Sequence, residues 1–447
     1  MSPTDASLPG TQPMLNPTIL LPALRASLAL GCTPARVSRF DRKHYFYWDQ
    51  PAGYQLTQFY EPLATDGRLD LTLEADGVDL AVGIRQVQIE QDTGKTLAAP
   101  PNALVDLNRV GTPLIEVITD PFTLHEPETA AKVLARIQGM LRAVDACVLG
   151  MEWGGMRADV NVSVRRTGAP ELGQRCEIKN LSSFKTVTDA IMSEATRQIE
   201  VLTAGGQIAG ETRGWDAEYS TTRRLRGKEG EVDYRFMPEP DLPPIVLSED
   251  LLKRVLKTMP LLPEEIIQRL MEKYGLKSKD ARILLAWDEG RITRPDSCVA
   301  YFINSVKRAN FLVNAGGIEL RADAVGKVVG NMVVHELGGL LATRNISWAE
   351  NPVSDERLGQ LVALVITDKI TGQTAKTLLP RLLTSPDMPE DIVQRENLGV
   401  SDSADDEMRA VLAVEIYPWR WPVSEVLDVD VVVWEEPSTI ELKDFDG

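Results

Sequence analysis

Seven residues, Pro238-Glu-Pro-Asp-Leu-Pro-Pro244, divide the chain into two halves that cannot share one architecture. Each proline fixes φ and removes a backbone donor, so the run suits neither a helix interior nor a central strand. Before it, short strand-like runs are broken by Gly, Pro and Asp. Residues 69–80 contain an Ala-Asp-Gly turn, and a second run covers residues 82–90. Within that half, residues 126–144 and 186–202 carry apolar side chains at helical spacing, which predicts two amphipathic helices on one side of a sheet. After it the periodicity is almost wholly helical, over residues 248–257, 263–274, 279–289, 296–313, 322–341 and 355–383, with a break at Asn351-Pro352. The expected fold class is α+β.

A chain of 447 residues with 43% hydrophobic and 25% charged residues can bury at least one sizeable core, and two or three domains are natural at this length. Its net charge of −17 argues against coating nucleic acid by charge alone, so any RNA contact needs a local basic patch. Acidic residues crowd positions 401–447, where the basic residues are Arg409, Arg420 and Lys443, the pattern of a solvated tail. Cys32, Cys147, Cys176 and Cys298 have no paired spacing, which suggests neither a disulfide framework nor a zinc site and fits a reducing compartment. No apolar run approaches bilayer length, and the start has neither a signal-peptide core nor a transit pattern.

Five runs carry possible chemistry. Asp41-Arg-Lys-His-Tyr-Phe-Tyr47 with Pro51-Ala-Gly-Tyr-Gln-Leu-Thr-Gln58 combines cations, aromatics and a Gly turn; it would stack a base and hold phosphate, or be an aromatic edge strand. In Gln88-Ile-Glu-Gln-Asp-Thr-Gly-Lys95, strand alternation puts Glu90 and Asp92 on one face, as magnesium ligands or as a solvated edge, with Lys95 placed for a phosphate. Asp106-Leu-Asn-Arg109 precedes a Gly-Thr-Pro turn and the apolar strand that contains Glu116, whose burial there demands a partner for the carboxylate, either a salt bridge or a metal. Arg157, Asp159, Asn161 and Ser163 share a strand face, as do Glu177 and Lys179; such faces are solvent-exposed or line a wet channel. Finally, Arg213, Arg223, Arg224, Arg226, Lys228 and Arg235 form the densest basic region, for a polyanion or for ion pairs with Glu229, Glu231 and Asp233.

Together these runs, with Tyr45-Phe-Tyr, Gly53-Tyr-Gln and Asp233-Tyr-Arg-Phe-x-Pro-Glu-Pro-Asp241, resemble the GatB/GatE family, which supplies the B chain of glutamyl/aspartyl-tRNA amidotransferases. They occur in the family's order across roughly residues 5 to 395. Tyr274-Gly-Leu and Lys369-Ile-Thr-Gly-x-x-Ala-Lys376 look like landmarks of its helical part. The resemblance implies a glutamine-synthetase-like cradle domain at residues 1–245, a helical domain at 246–350 and a small tail-like helical domain at 351–415, before a divergent acidic C-terminus at 416–447. It implies ATP and Mg2+ as cofactors, with ATP phosphorylating the side-chain carboxylate of Glu-tRNA(Gln) and ammonia from glutamine displacing the phosphate. The implied partners are tRNA(Gln) charged with Glu, the amidase chain of the amidotransferase and its small third subunit, with no DNA and no membrane span.

On that reading Glu90 and Glu116 are metal ligands. Lys95, Arg109 and Arg157 contact phosphate or substrate, and Asp92 is a further ligand at the nucleotide. Asp159, Asn161, Glu177 and Lys179 line an ammonia path. The family's opening Gly-Leu-Glu-x-His strand, a source of further metal ligands, has no match here, and His44, His125 and His335 do not replace it. After about Glu415 the family's basic helical tail gives way to Tyr417-Pro-Trp-Arg-Trp-Pro422 and an acidic run. Both ends read like those of an altered gene model from an intron-bearing source, hence a mitochondrial home, the alternative being the cytoplasm of a bacterium. The competing function is a non-catalytic tRNA-binding or assembly subunit that has lost the kinase step. A third option, a generic ATP-dependent ligase for a small acid, finds no Walker-type loop in this sequence.

Overall fold

The computed structural model describes residues 2–400 apart from 45, 100–101, 125, 148, 167, 228–234 and 289–295. Helix α1 (Leu20–Ala29) leads into strands β1 (Thr33–Pro34), β2 (Val37–Ser38), β3 (Asp41–His44), β4 (Tyr54–Thr57) and β5 (Ala64–Leu71). The expected Ala-Asp-Gly turn is the end of a one-turn helix, α2 (Leu73–Asp76), capped by the Thr72 side chain and closed by Gly77 at φ +65°. The long strand β6 (Leu80–Gln91) follows, then a ribbon of β7 (Lys95–Ala99) and β8 (Asn102–Asp106), then β9 (Pro113–Thr119) and helix α3 (Glu128–Ala143). A second sheet is built from β10 (Ala158–Val162), β11 (Cys176–Leu181), β12 (Glu211–Asp216) and β13 (Thr221–Gly227), with helix α4 (Phe184–Thr203) between β11 and β12. Short strands β14 (Met237–Pro238) and β15 (Ile245–Val246) close this half.

In the large sheet the order is β1-β5-β6-β4-β3-β14, with β9 on the other flank of β6. Alternation sorts its two faces. Val87 and Ile89 of β6 take one side together with Ile115 and Val117 of β9 and pack on α1 and α3. Burying a leucine such as Leu24 or Leu69 in those clusters contributes about 1.5–3 kcal/mol. Gln86, Gln88 and Glu90 fall on the opposite face, in register with Glu116 and Thr57. The expectation of two helices on one side of a single sheet holds here for α3 only: α1 takes the second place, and α4 packs on the second sheet, where Val187, Ala190 and Ile191 lie with Ile178 and Leu181. A polar face of the large sheet is left uncovered by α1 and α3. The proline-dense run is no free linker: Pro238 pairs with Asp41 and Ile245 with Ser38, so its ends are edge strands, where a missing donor costs nothing.

Beyond it come α5 (Glu249–Lys257), α6 (Pro263–Tyr274), α7 (Ser278–Trp287), α8 (Cys298–Ala315), α9 (Ala322–Gly330) and α10 (Gly338–Thr343), the last two joined through a π-helical segment, Asn331–Leu337. One expected helix is two. Residues 355–383 break into α11 (Asp355–Ile366) and α12 (Gly372–Leu382), because Asp368 turns to φ +54° and Thr371 caps the second helix through Thr374 N. The apolar spacing runs straight through the break, since Leu364, Ile370 and Leu378 all lie in one core, and this hid it from a periodicity reading. A further helix, α13 (Pro389–Glu396), completes the described part. The helical core from Ile266 to Val393 is separate from the sheet cores, whereas Val255 of α5 packs with Ala23 and Leu24 on the sheet side.

Candidate active site

Glu90 stands where β6 is flanked on both sides, by Thr57 of β4 and by Leu114 of β9, so the residue is only 9% exposed. Gln55 Nε2 donates to Glu90 Oε1 at 2.8 Å, while Oε2 is buried without a well-formed hydrogen bond. Burial pushes the Glu90 carboxyl above the usual carboxylate range. The Lys43 ammonium pulls it back, Glu116 and Asp92 push it further up, and the Thr57 hydroxyl eases it slightly. A buried carboxylate oxygen with no donor is expensive unless a proton or a cation takes the position.

Glu116 shares that face but is exposed, which corrects the expectation of a carboxylate buried in an apolar strand. The cause is its place on β9, which pairs with β6 alone among the described strands. Gln88, its cross-strand partner, donates one amide hydrogen to Glu116 Oε2 at 2.6 Å and the other to Thr57 Oγ1 at 3.0 Å. Gln86 Nε2 in turn holds Gln88 Oε1 at 2.6 Å. A file of glutamines thus fixes both glutamates. Among the described residues no group of three or more His, Cys, Asp or Glu side chains is placed to hold a metal.

Asp92 is engaged differently from the expected cation ligand. Strand β6 ends at Gln91, and Asp92 Oδ2 meets Arg157 Nη2 at 2.9 Å and Arg109 Nε at 3.2 Å. Arg109 also donates to Thr93 O at 2.9 Å and Gly94 O at 3.0 Å, so it braces the loop after β6. Gly94 leaves little room there: a Cβ would lie 3.1 Å from both Asp49 O and Asp106 O. Lys95 begins the ribbon exposed and, among the described residues, without an ion pair.

The second sheet pairs its own charges. Lys179 Nζ lies 2.7 Å from Asp159 and 3.2 Å from Glu177, and Thr212 donates to Glu177 Oε2 at 3.1 Å. Although burial works against it, these two carboxylates hold the Lys179 ammonium well above the usual lysine range. Asn161 sits opposite Glu177 in register. The basic cluster, by contrast, is not a single patch. Arg213 is buried between Glu194 Oε2 at 3.1 Å and Glu211 Oε1 at 2.7 Å, and Arg224 joins Glu211 at 3.1 Å. Among the described residues the acid partners of Arg213 and Arg224 come from α4 and β12; Glu229, Glu231 and Asp233, the expected partners, lie outside the described residues along with Lys228.

Comparison with known proteins decides the family. The GatB/GatE catalytic domain matches residues 1–253, and a GatB domain matches residues 319–414. The chain belongs to the GatB/GatE family. A relative from Paracoccidioides brasiliensis is 47% identical over 432 residues, covering 92% of this chain and 70% of its own length. One from Neurospora crassa is 51% identical over 404 residues, covering 85% of this chain and 61% of its own. One from Podospora anserina is 47% identical over 390 residues with the same coverages. All three are named as the mitochondrial B chain of glutamyl-tRNA(Gln) amidotransferase, and this GatB/GatE chain is a mitochondrial form. No helix among the described residues is long and apolar enough to cross a membrane.

Sequence reasoning singled out both glutamates of this GatB/GatE chain but missed the residues that hold them. Gln55 with Thr57, and Gln86 with Gln88, alternate along β4 and β6 in step with Glu90, and that period of two was the available signal. Lys43, in register with Gln55 on β3, supplies the cationic field on Glu90. Of the other named positions, Tyr45, His125, Tyr234 and residues 416–447 lie outside the described set.

Proposed function

We propose that this chain is the activating subunit of a glutamyl-tRNA(Gln) amidotransferase, working at the polar face around Glu90. Its part in tRNA-dependent amidation makes it a carbon–nitrogen ligase of translation, assembled with other subunits: an amidase that releases ammonia from glutamine, and a small third chain. A carboxylate is a poor acyl donor, so the glutamyl side chain on the tRNA must first be given a phosphate leaving group from ATP. The cradle reading of the first half, akin to glutamine synthetase, is supported by a sheet with helices on one face and polar side chains on the other. The buried Oε2 of Glu90, which lacks a well-formed hydrogen bond, carries the proposal.

Hard oxygen donors and a charge deficit suit magnesium, which keeps several waters and needs only one or two protein carboxylates. Glu90 and Glu116 are the residues that would hold it; when bound, it would neutralise phosphate oxygens during transfer. Gln55 and Gln88 keep the two carboxylates in place, Glu90 must give up its proton, and Lys43 favours that ionised form. Arg109 and Arg157 hold Asp92, which fixes the loop that carries Lys95 towards a phosphate. Asp159, Asn161, Glu177 and Lys179 offer a polar file suited to ammonia. A non-catalytic assembly role is not favoured, because a scaffold has no use for a buried carboxylate whose Oε2 lacks a well-formed hydrogen bond.

The test is to reconstitute the chain with its amidase and small third chain and to follow Gln-tRNA formation and ATP cleavage from Glu-tRNA. Glu116→Gln should lower ATP cleavage at least about a hundredfold, since even residues behind metal ligands cost 10–100-fold. Unchanged turnover in that variant would remove Glu116 from the site.

A further inference from the structure

Part of the aromatic run has no role in activating the glutamyl carboxylate. Phe46, Tyr47 and Trp48 are consecutive and exposed at 81%, 43% and 63%, in a chain that is only 6% aromatic. Exposed rings are costly unless something covers them. Trp48 is not loose: its indole N–H donates to Thr96 Oγ1 at 3.0 Å, and next to it Gly94 N donates to Asp49 O at 2.7 Å. The Trp48–Asp49 loop is therefore zipped onto the segment that follows Asp92, which Arg109 and Arg157 pin in turn. With its one polar atom satisfied inside the protein, the indole presents a flat apolar surface fixed to the segment that follows β6, the strand that carries Glu90. Tyr47 meets it edge-on, with ring centroids 6.0 Å apart.

We infer that Trp48 is a stacking shelf for an unpaired base at the 3′ end of the aminoacylated RNA, a positioning residue that sets the glutamyl group before Glu90. This deepens the proposed function and rests on it. The charge balance favours this occupant: a chain of net charge −17 gains little from phosphate attraction, whereas base–aromatic stacking needs no charge. The open setting favours it over ATP, because a small nucleotide binds where most of its surface is enclosed, while a chain end anchored along the rest of its RNA needs only a platform.

The test uses the whole amidotransferase complex and labelled tRNA(Gln), intact or trimmed of its unpaired 3′ nucleotides, with binding read by fluorescence anisotropy. Trp48→Ala should weaken intact tRNA about tenfold, within the range for losing one stacked base, and leave trimmed tRNA unchanged. Trp48→Phe should recover most of the loss, and Thr96→Val, which removes only the hydrogen bond, should fall between wild type and Trp48→Ala. Equal weakening of intact and trimmed tRNA, no weakening at all, or failure of Phe to rescue would each overturn the shelf. So would a rise in KM for ATP with unchanged tRNA binding, which would assign the ring to the nucleotide. Binding is measured without turnover, so a complex that binds intact tRNA through Trp48 yet forms no Gln-tRNA would count against the activation chemistry and leave the shelf standing.

Discussion

With no cation bound, Glu90 holds its proton more tightly in the folded chain than in the unfolded one, because burial and the neighbouring Glu116 and Asp92 outweigh Lys43. The stabilisation this gives is fully present below the ordinary glutamate range and is lost as pH rises through the raised folded value. Thermal denaturation of the metal-free protein should therefore show stability falling with pH across that window, and Glu90→Gln should flatten the dependence. Magnesium alone should raise the melting temperature of wild type increasingly as pH rises, since it competes with the proton, and should not do so for Glu90→Gln. A Mg2+ response that is independent of pH, or that persists in the variant, would separate the cation from Glu90. Asp92 is engaged otherwise: two guanidiniums share its Oδ2, a pairing that strand alternation alone could not reveal.

At the level of elements, what could be read in the sequence was what depends on neighbours along the chain. Helix α6 begins and ends at the expected residues because Pro263 starts it and Gly275, at φ +67°, stops it. Glu116 was misjudged because burial of a strand residue depends on whether another strand lies beyond it, and β9 has β6 on one flank only among the described strands. Arg213 was misjudged for a similar reason: its partner Glu194 projects from the buried face of α4, in line with Val187, Ile191 and Gln198. There Glu194 accepts from Arg197, Gln198 and Thr222, which overcome the effect of burial and hold its carboxyl below the usual range. Removing it leaves Arg213 with Glu211 as its remaining carboxylate partner inside the second sheet, so Glu194→Ala should cost about 1–3 kcal/mol in denaturant unfolding. A loss under about 1 kcal/mol, the size of an exposed pair, would mean that the network is solvated.

Across the whole described chain, sheet and helical cores meet through a narrow set of contacts. Arg136 pairs with Glu264, Arg25 Nη2 donates to Thr258 O at 3.0 Å, and Leu262 lies against the sheet core. Native-state hydrogen exchange should accordingly show α8 and α11 losing protection in a different step from β5 and β6 as denaturant rises, and Glu264→Ala should shift the helical step by no more than about 1 kcal/mol. A single shared step would show that the cores are one cooperative unit. The Arg157–Asp92 contact has a consequence of another kind, because it ties the entry to β10 in one sheet to the end of β6 in the other. Were the second sheet to retreat and withdraw that guanidinium, Asp92 would recover part of its negative field and Glu90 would grip its proton harder. If Glu90 takes up magnesium as proposed, that uptake would respond to where the second sheet rests, through the one oxygen that Arg109 and Arg157 share.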